Sequence, residues 1–127
     1  MSEKWTVELS VNNEVIDEQH KEWFIVMDDL YKSISDKKPI ETIEDALLKV
    51  LEYTRFHFKY EENYMQENKF SNLEEHKSQH LKYVREIEKY YEELMTGRSK
   101  LSEEIVQKLN NWFLNHIKNE DLKYSVE

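Results

Sequence analysis

ETIEDALLKVLEYTRFHFKYEENYMQ, residues 41–66, contains neither Gly nor Pro, and at 3.6 residues per turn it makes about seven turns of helix. Ile43, Leu47, Val50, Leu51, Thr54, Phe58 and Met65 return at steps of three, four and seven residues, so they line one side of that helix. Toward the N-terminus, Phe24, Met27, Leu30, Tyr31 and Ile34 repeat the pattern between about Asp17 and Ser35. Ser35 to Pro39 is the intervening turn, with Pro39 near the opening of the next helix, where a missing N–H costs nothing. On the other side, Ser71 followed by Glu74 has the capping-box form, which predicts a third helix from there to Met95. Met95-Thr96-Gly97-Arg98 closes it. A fourth opens near Leu101 or Ser102 and carries Ile105, Val106, Leu109, Trp112, Phe113 and Ile117. Trp5, Val7, Leu9, Val11 and Val15 show no sustained period, so residues 1–15 are read as an extended arm on the bundle. The expectation is a single domain over 1–127, with the arm at 1–15 and an all-α, up-down-up-down antiparallel four-helix bundle at 16–127.

Composition agrees and narrows the function. The 127-residue chain has one Gly and one Pro, too few turn formers for many short strands. Its net charge of −9, with Lys and Arg scattered, argues against a nucleic-acid or anionic-membrane partner, each of which needs a concentrated basic face. With no Cys, disulfides, iron–sulfur clusters and CxxCH haem attachment are excluded, so a metal would be held by His and carboxylate. The N-terminal residues lack an apolar signal core and no run approaches a membrane span, which predicts a cytoplasmic protein.

Each predicted helix carries at least one of the five histidines: His20, His57, His76 with His80, and His116. His57 and Glu61 are four apart, as are His76 and His80, and a four-residue step turns only about 40° around a helix. Each pair therefore projects from one face. His116 and Asp121 are five apart, a separation of about 140° on a regular helix, so both reach one site only if the fourth helix ends or unwinds between them. Phe24, Phe56, Phe58, Trp112, Phe113 and Ile117 surround these positions, which places the histidines among core residues. A lone core histidine is usually a hydrogen-bonded structural residue. Five imidazoles and two carboxylates in an apolar interior are costly unless something satisfies them together, and a metal does so. Seven donors exceed one tetrahedral zinc and favour two metals.

The chain resembles the hemerythrins, small bacterial single-domain members in particular. The resemblance rests on Ile16-Asp17-Glu18-Gln19-His20-Lys21, on His57-Phe58 with Glu61, on the His76 to His80 pair, and on Trp112 through His116-Ile117-Lys118 to Asp121 and Tyr124. It implies two Fe ions with an oxo or hydroxo bridge, one held by His76, His80 and His116, the other by His20 and His57, with Glu61 and Asp121 bridging. These donors fill all but one position of two six-coordinate irons. The open position falls beside His20 and His57, and the resemblance implies that dioxygen binds there reversibly, with azide or other small anions as possible substitutes. Trp112, Phe113, Ile117, Phe24 and Phe58 are the expected wall of that pocket. A monomer or weak homo-oligomer is expected, with room for a separate acceptor protein. A di-iron oxidase or peroxidase is the rival, but ferritin-like sites use Glu-x-x-His pairs, which this chain lacks. A sensing or storage module is the other alternative. The resemblance favours a binding protein over an enzyme.

Overall fold

The computed structural model describes residues 5–124. Four long helices carry the fold: α1 (Glu14–Ser35), α2 (Ile40–Glu67), α3 (Leu73–Met95) and α4 (Glu103–His116). Short connections force successive helices to run antiparallel, α1 packs on both α2 and α4, α2 packs on α3, and Tyr83 of α3 donates to the Leu109 carbonyl of α4 at 2.7 Å, which closes the four-helix bundle. No helix among the described residues is long and apolar enough to cross a membrane.

Local chemistry explains the helix ends. Asn13 caps α1 by accepting from the Ile16 N–H at 3.1 Å, and Ser102 caps α4 by accepting from the Ile105 N–H at 3.2 Å. The C-termini of α1, α2 and α3 share one device, in which the chain turns through a left-handed residue and two N–H groups bond back into the last turn. At α1 these bonds run from Lys37 to the Ile34 carbonyl and from Lys38 to that of Ser33. The left-handed residue is Gly97 after α3 (φ 72°), but Lys37 after α1 (φ 53°) and Lys69 after α2 (φ 55°).

Two expectations need correction. The N-terminal arm does not stay extended to residue 15. Val7–Leu9 forms a turn of 3-10 helix and α1 already begins at Glu14, because the Asp17 carboxylate accepts from Ser10 Oγ at 2.6 Å and from the Val11 N–H at 2.9 Å, folding the arm onto the first helical turn. Residues 1–4 of the arm lie outside those described. The third helix also opens later than the Ser71 and Glu74 pair implies; α3 starts at Leu73, with Asn72 in the cap position and no capping bond from the Asn72 side chain.

The core is divided. A large cluster includes Trp23, Met27, Leu47, Val50, Phe58, Tyr83, Ile87, Val106, Leu109 and Phe113. A smaller one joins Val11, Ile16, Met65 and Tyr124, with Phe70 and Leu73 against it. Complete burial of each large apolar side chain contributes about 1.5–3 kcal/mol. Along the first three helices four of the polar residues fall between members of the two clusters: His20 between Ile16 and Trp23, Glu61 between Phe58 and Met65, His76 and His80 between Leu73 and Tyr83. A polar layer thus crosses the bundle with apolar packing above and below it.

Candidate metal centre

The layer contains all five histidines, Glu61 and Asp121, and none is more than 5% exposed. His76 and His80 sit one turn apart on α3, as do His57 and Glu61 on α2. His116 ends α4, and the backbone beyond it decides where Asp121 goes. The regular α form of α4 ends at His116, and the unwinding that the spacing requires takes the form of a π turn over Ile117–Asp121, after which Leu122–Tyr124 resumes the α form. The Leu122 N–H reaches back five residues to the Ile117 carbonyl. A five-residue hydrogen-bond step returns residues five apart to the same face, so Asp121 Oδ1 stands 3.1 Å from His116 Nε2.

The seven side chains form two unequal groups. On one side, His116 Nε2 is 3.1 Å from both His76 Nε2 and His80 Nε2. On the other, the His20 and His57 rings meet edge to face at 4.6 Å. Each carboxylate serves both groups. Glu61 directs Oε1 to His76 (2.9 Å) and His80 (3.1 Å), and Oε2 to His57 (3.4 Å) and His20 (3.6 Å). Asp121 directs Oδ1 to His76 (2.7 Å) and His116, and Oδ2 to His20 (3.3 Å).

These approaches are close, yet many are not hydrogen bonds. His20 Nε2, His57 Nε2 and both Asp121 oxygens are buried without a hydrogen-bond partner among the described residues. They lie close together without bonding one another, as donors around a shared cation do. Donors about 2.1 Å from a shared cation and at right angles stand about 3.0 Å apart, close to the spacing of the histidine nitrogens. Two sets of donors, Glu61-His76-His80-His116-Asp121 and His20-His57-Glu61, are grouped tightly enough to hold a cation each. The residues therefore fit a two-metal centre of nitrogen and carboxylate donors.

Without a cation, protons take its place. Burial opposes charging His20 and His76, but the negative carboxylates of Asp121 and Glu61 close beside them prevail and raise them to about 9 and about 10. Burial instead prevails at His57, which is lowered, helped by the neighbouring charge of His20. Burial would raise both carboxyls; the surrounding histidines overcome it and hold Glu61 and Asp121 below the ordinary carboxylate range. Cation binding must displace those histidine protons.

Three outer contacts were not identified from sequence. His57 Nδ1 donates to Gln19 Oε1 at 2.8 Å, His80 Nδ1 to Glu62 Oε2 at 2.7 Å, and the Tyr124 hydroxyl to Glu61 Oε2 at 3.0 Å. Gln19 carried a readable signal, since it continues the Ile16, His20, Trp23 stripe at helical steps. Trp23, also missed, is fully buried; it stacks on Phe113 at 3.8 Å and donates its indole N–H to Thr54 at 2.8 Å.

The aromatic residues expected to wall one pocket are shared between the two sides. Phe113 faces His20 at 5.7 Å and His57 at 5.8 Å, with Phe24 behind it at 5.9 Å. Trp112 stacks on His116 at 4.7 Å and Phe58 on His80 at 3.6 Å, so both back the three-histidine group. Ile117 is fully buried.

Known proteins resemble this chain in sequence and fold. The family model described as the Hemerythrin HHE cation binding domain matches residues 11–125. A myohemerythrin from Theromyzon tessulatum is 30% identical, over 95% of this chain and 89% of its own length. A bacteriohemerythrin from Pseudomonas paraeruginosa is 28% identical, over 94% of this chain and 77% of its own. Among solved structures, wild-type hemerythrin superposes with a TM-score of 0.93 at 24% identity, covering 99% of this chain and 97% of that one.

Proposed function

The chain belongs to the hemerythrin family, and on that premise we propose that it binds dioxygen reversibly at a non-haem di-iron centre, as a carrier, store or delivery protein and not as an enzyme. In this reading His76, His80 and His116 hold one iron, His20 and His57 the other, and Glu61 and Asp121 bridge them together with an oxo or hydroxo group. Two ferrous irons, when bound, supply the two electrons that hold dioxygen and recover them on release.

The unequal division of donors carries the proposal. Three imidazoles converge on one side and two on the other, while each carboxylate offers one oxygen to each side. That leaves the two-histidine side one donor short of the other, and a small ligand would complete it. The protein's part is to hold the donors in place and keep the space dry, because water and other proton donors there would make oxygen uptake irreversible. Phe113, with Trp23 stacked on it and Phe24 against its edge, supplies apolar surface near His20 and His57. Trp112 and Phe58 act from the other side, packing flat on His116 and His80 and fixing their rings.

The test is an absorption spectrum of the iron-loaded, reduced protein before and after exposure to air. A charge-transfer band that forms in air, disappears when oxygen is removed and is blocked by azide is the expected result. Irreversible bleaching with peroxide release would overturn the proposal in favour of an oxidase.

A further inference from the structure

Two imidazoles are held from behind by side chains, one in each donor group. His57 Nδ1 meets the amide oxygen of Gln19, and His80 Nδ1 meets the carboxylate of Glu62. By contrast, the Nδ1 atoms of His20 and His76 have no hydrogen-bond partner among the described residues. Both holding groups accept, so both fix the same tautomer, with the proton on Nδ1 and the Nε2 lone pair free for a cation.

They differ in charge. A carboxylate draws the Nδ1 proton more strongly than an amide does, shifts the ring toward imidazolate and makes Nε2 the stronger donor. A stronger donor favours the more highly charged metal. The surroundings match the difference: Gln19 is buried at 8% exposure and its backbone carbonyl accepts from Tyr53, whereas the Glu62 side chain is 24% exposed. A carboxylate in place of Gln19 would be a third buried anion beside Glu61 and Asp121, a costly addition.

From this pairing we infer that Gln19 and Glu62 set the two iron positions to unlike reduction potentials, Glu62 favouring the ferric state at the three-histidine position and Gln19 keeping the two-histidine position easier to hold ferrous. The inference rests on the di-iron reading. Both are positioning residues acting through an imidazole.

The experiment is a mediated redox titration of the iron-loaded protein, wild type against Gln19→Glu and Glu62→Gln, with iron content measured first. Each ferric iron takes one electron from the mediator, giving two midpoints. Gln19→Glu makes both holding groups carboxylates and Glu62→Gln makes both amides, so each variant brings the two midpoints closer together. One midpoint moves down in Gln19→Glu and one moves up in Glu62→Gln, each by about a tenfold change in the ferric-to-ferrous ratio of that iron at fixed potential, about 59 mV for a one-electron couple, so the mean of the two moves by about half as much. Opposite shifts distinguish this from loss of packing, which would move both variants alike. Because Gln19→Glu adds a buried charge and can fail to load iron, the more exposed Glu62→Gln decides alone in that case. Full iron content with unmoved midpoints, or shifts of the same sign, overturns the inference and leaves the di-iron reading standing. A wild-type chain that takes up no iron overturns both.

Discussion

Replacing Tyr124 by Phe removes one oxygen and little else. The ring stays in the small cluster against Phe70 and Tyr64, at centroid distances of 5.6 and 5.8 Å, so no cavity opens. What disappears is a 3.0 Å hydrogen bond from a buried hydroxyl to Glu61 Oε2. A hydrogen bond to a charged group contributes about 1.5–3 kcal/mol. Glu61 Oε2 has only longer approaches to fall back on, His57 at 3.4 Å and His20 at 3.6 Å, so most of that loss should be felt. For a domain of this length 1 kcal/mol corresponds to roughly 3–5 °C in Tm, and the metal-free variant should melt roughly 5–15 °C lower. Loss of an outer partner also weakens metal binding about 10–100-fold, which competition with a chelator would measure. Phe70→Leu is the control, since it disturbs the same cluster without touching Glu61; it should lower Tm and spare iron affinity. If Tyr124→Phe changes Tm but leaves iron affinity untouched, the hydroxyl does not support Glu61 as a ligand and the reasoning fails.

Thr54→Val keeps the shape of a fully buried side chain but leaves the Trp23 indole N–H without its acceptor; a destabilisation of about 1–3 kcal/mol is expected, and an unchanged denaturation midpoint would contradict it. In the metal-free protein His20 and His76 have folded-state pKa values of about 9 and about 10 against an ordinary 6.5, so their stabilisation is complete below pH 6.5 and is lost as pH rises through 9 to 10. Glu61 and Asp121, held low, act oppositely, and their contribution is lost on acidification below the ordinary carboxylate range. Thermal melts with chelator should therefore decline on the alkaline side and, with metal replacing the protons, should not; a flat chelated profile between about pH 6.5 and 9.5 would be the contrary result. Lys37→Gly relieves a left-handed backbone at φ 53° and should stabilise by about 1 kcal/mol, less the extra entropy of glycine in the unfolded chain; a lower Tm would show that the Lys37 side chain contributes more than the strain costs.

Sequence periodicity made the bundle legible because each helix has one apolar stripe and the chain has almost no Gly or Pro to confuse the boundaries. The long second helix, expected over 41–66, runs from Ile40 to Glu67. The histidine pairs were equally readable, since a four-residue step fixes two side chains on one face whatever the tertiary packing. Contacts between helices were not readable in this way. That Gln19 reaches His57, and Tyr124 reaches Glu61, depends on how far one helix is rotated and slid against another, which no single-helix period contains. The late start of α3 has a different cause: the chain is still leaving the left-handed turn at Lys69 when it reaches Ser71, and the cap position falls to Asn72. The arm was misread because Asp17, counted as the start of the helix, turns back to hold Ser10 and Val11.

The π turn at Ile117–Asp121 matters to anyone who would move this centre to another scaffold. Grafting His116 and Asp121 at their native spacing onto a regular host helix would aim the two side chains about 140° apart, and one of them would face solvent. The graft must bring the widened turn with it, or else delete one intervening residue so that a four-residue step restores the common face. In this chain the backbone irregularity is as much a part of the donor set as the carboxylate it delivers.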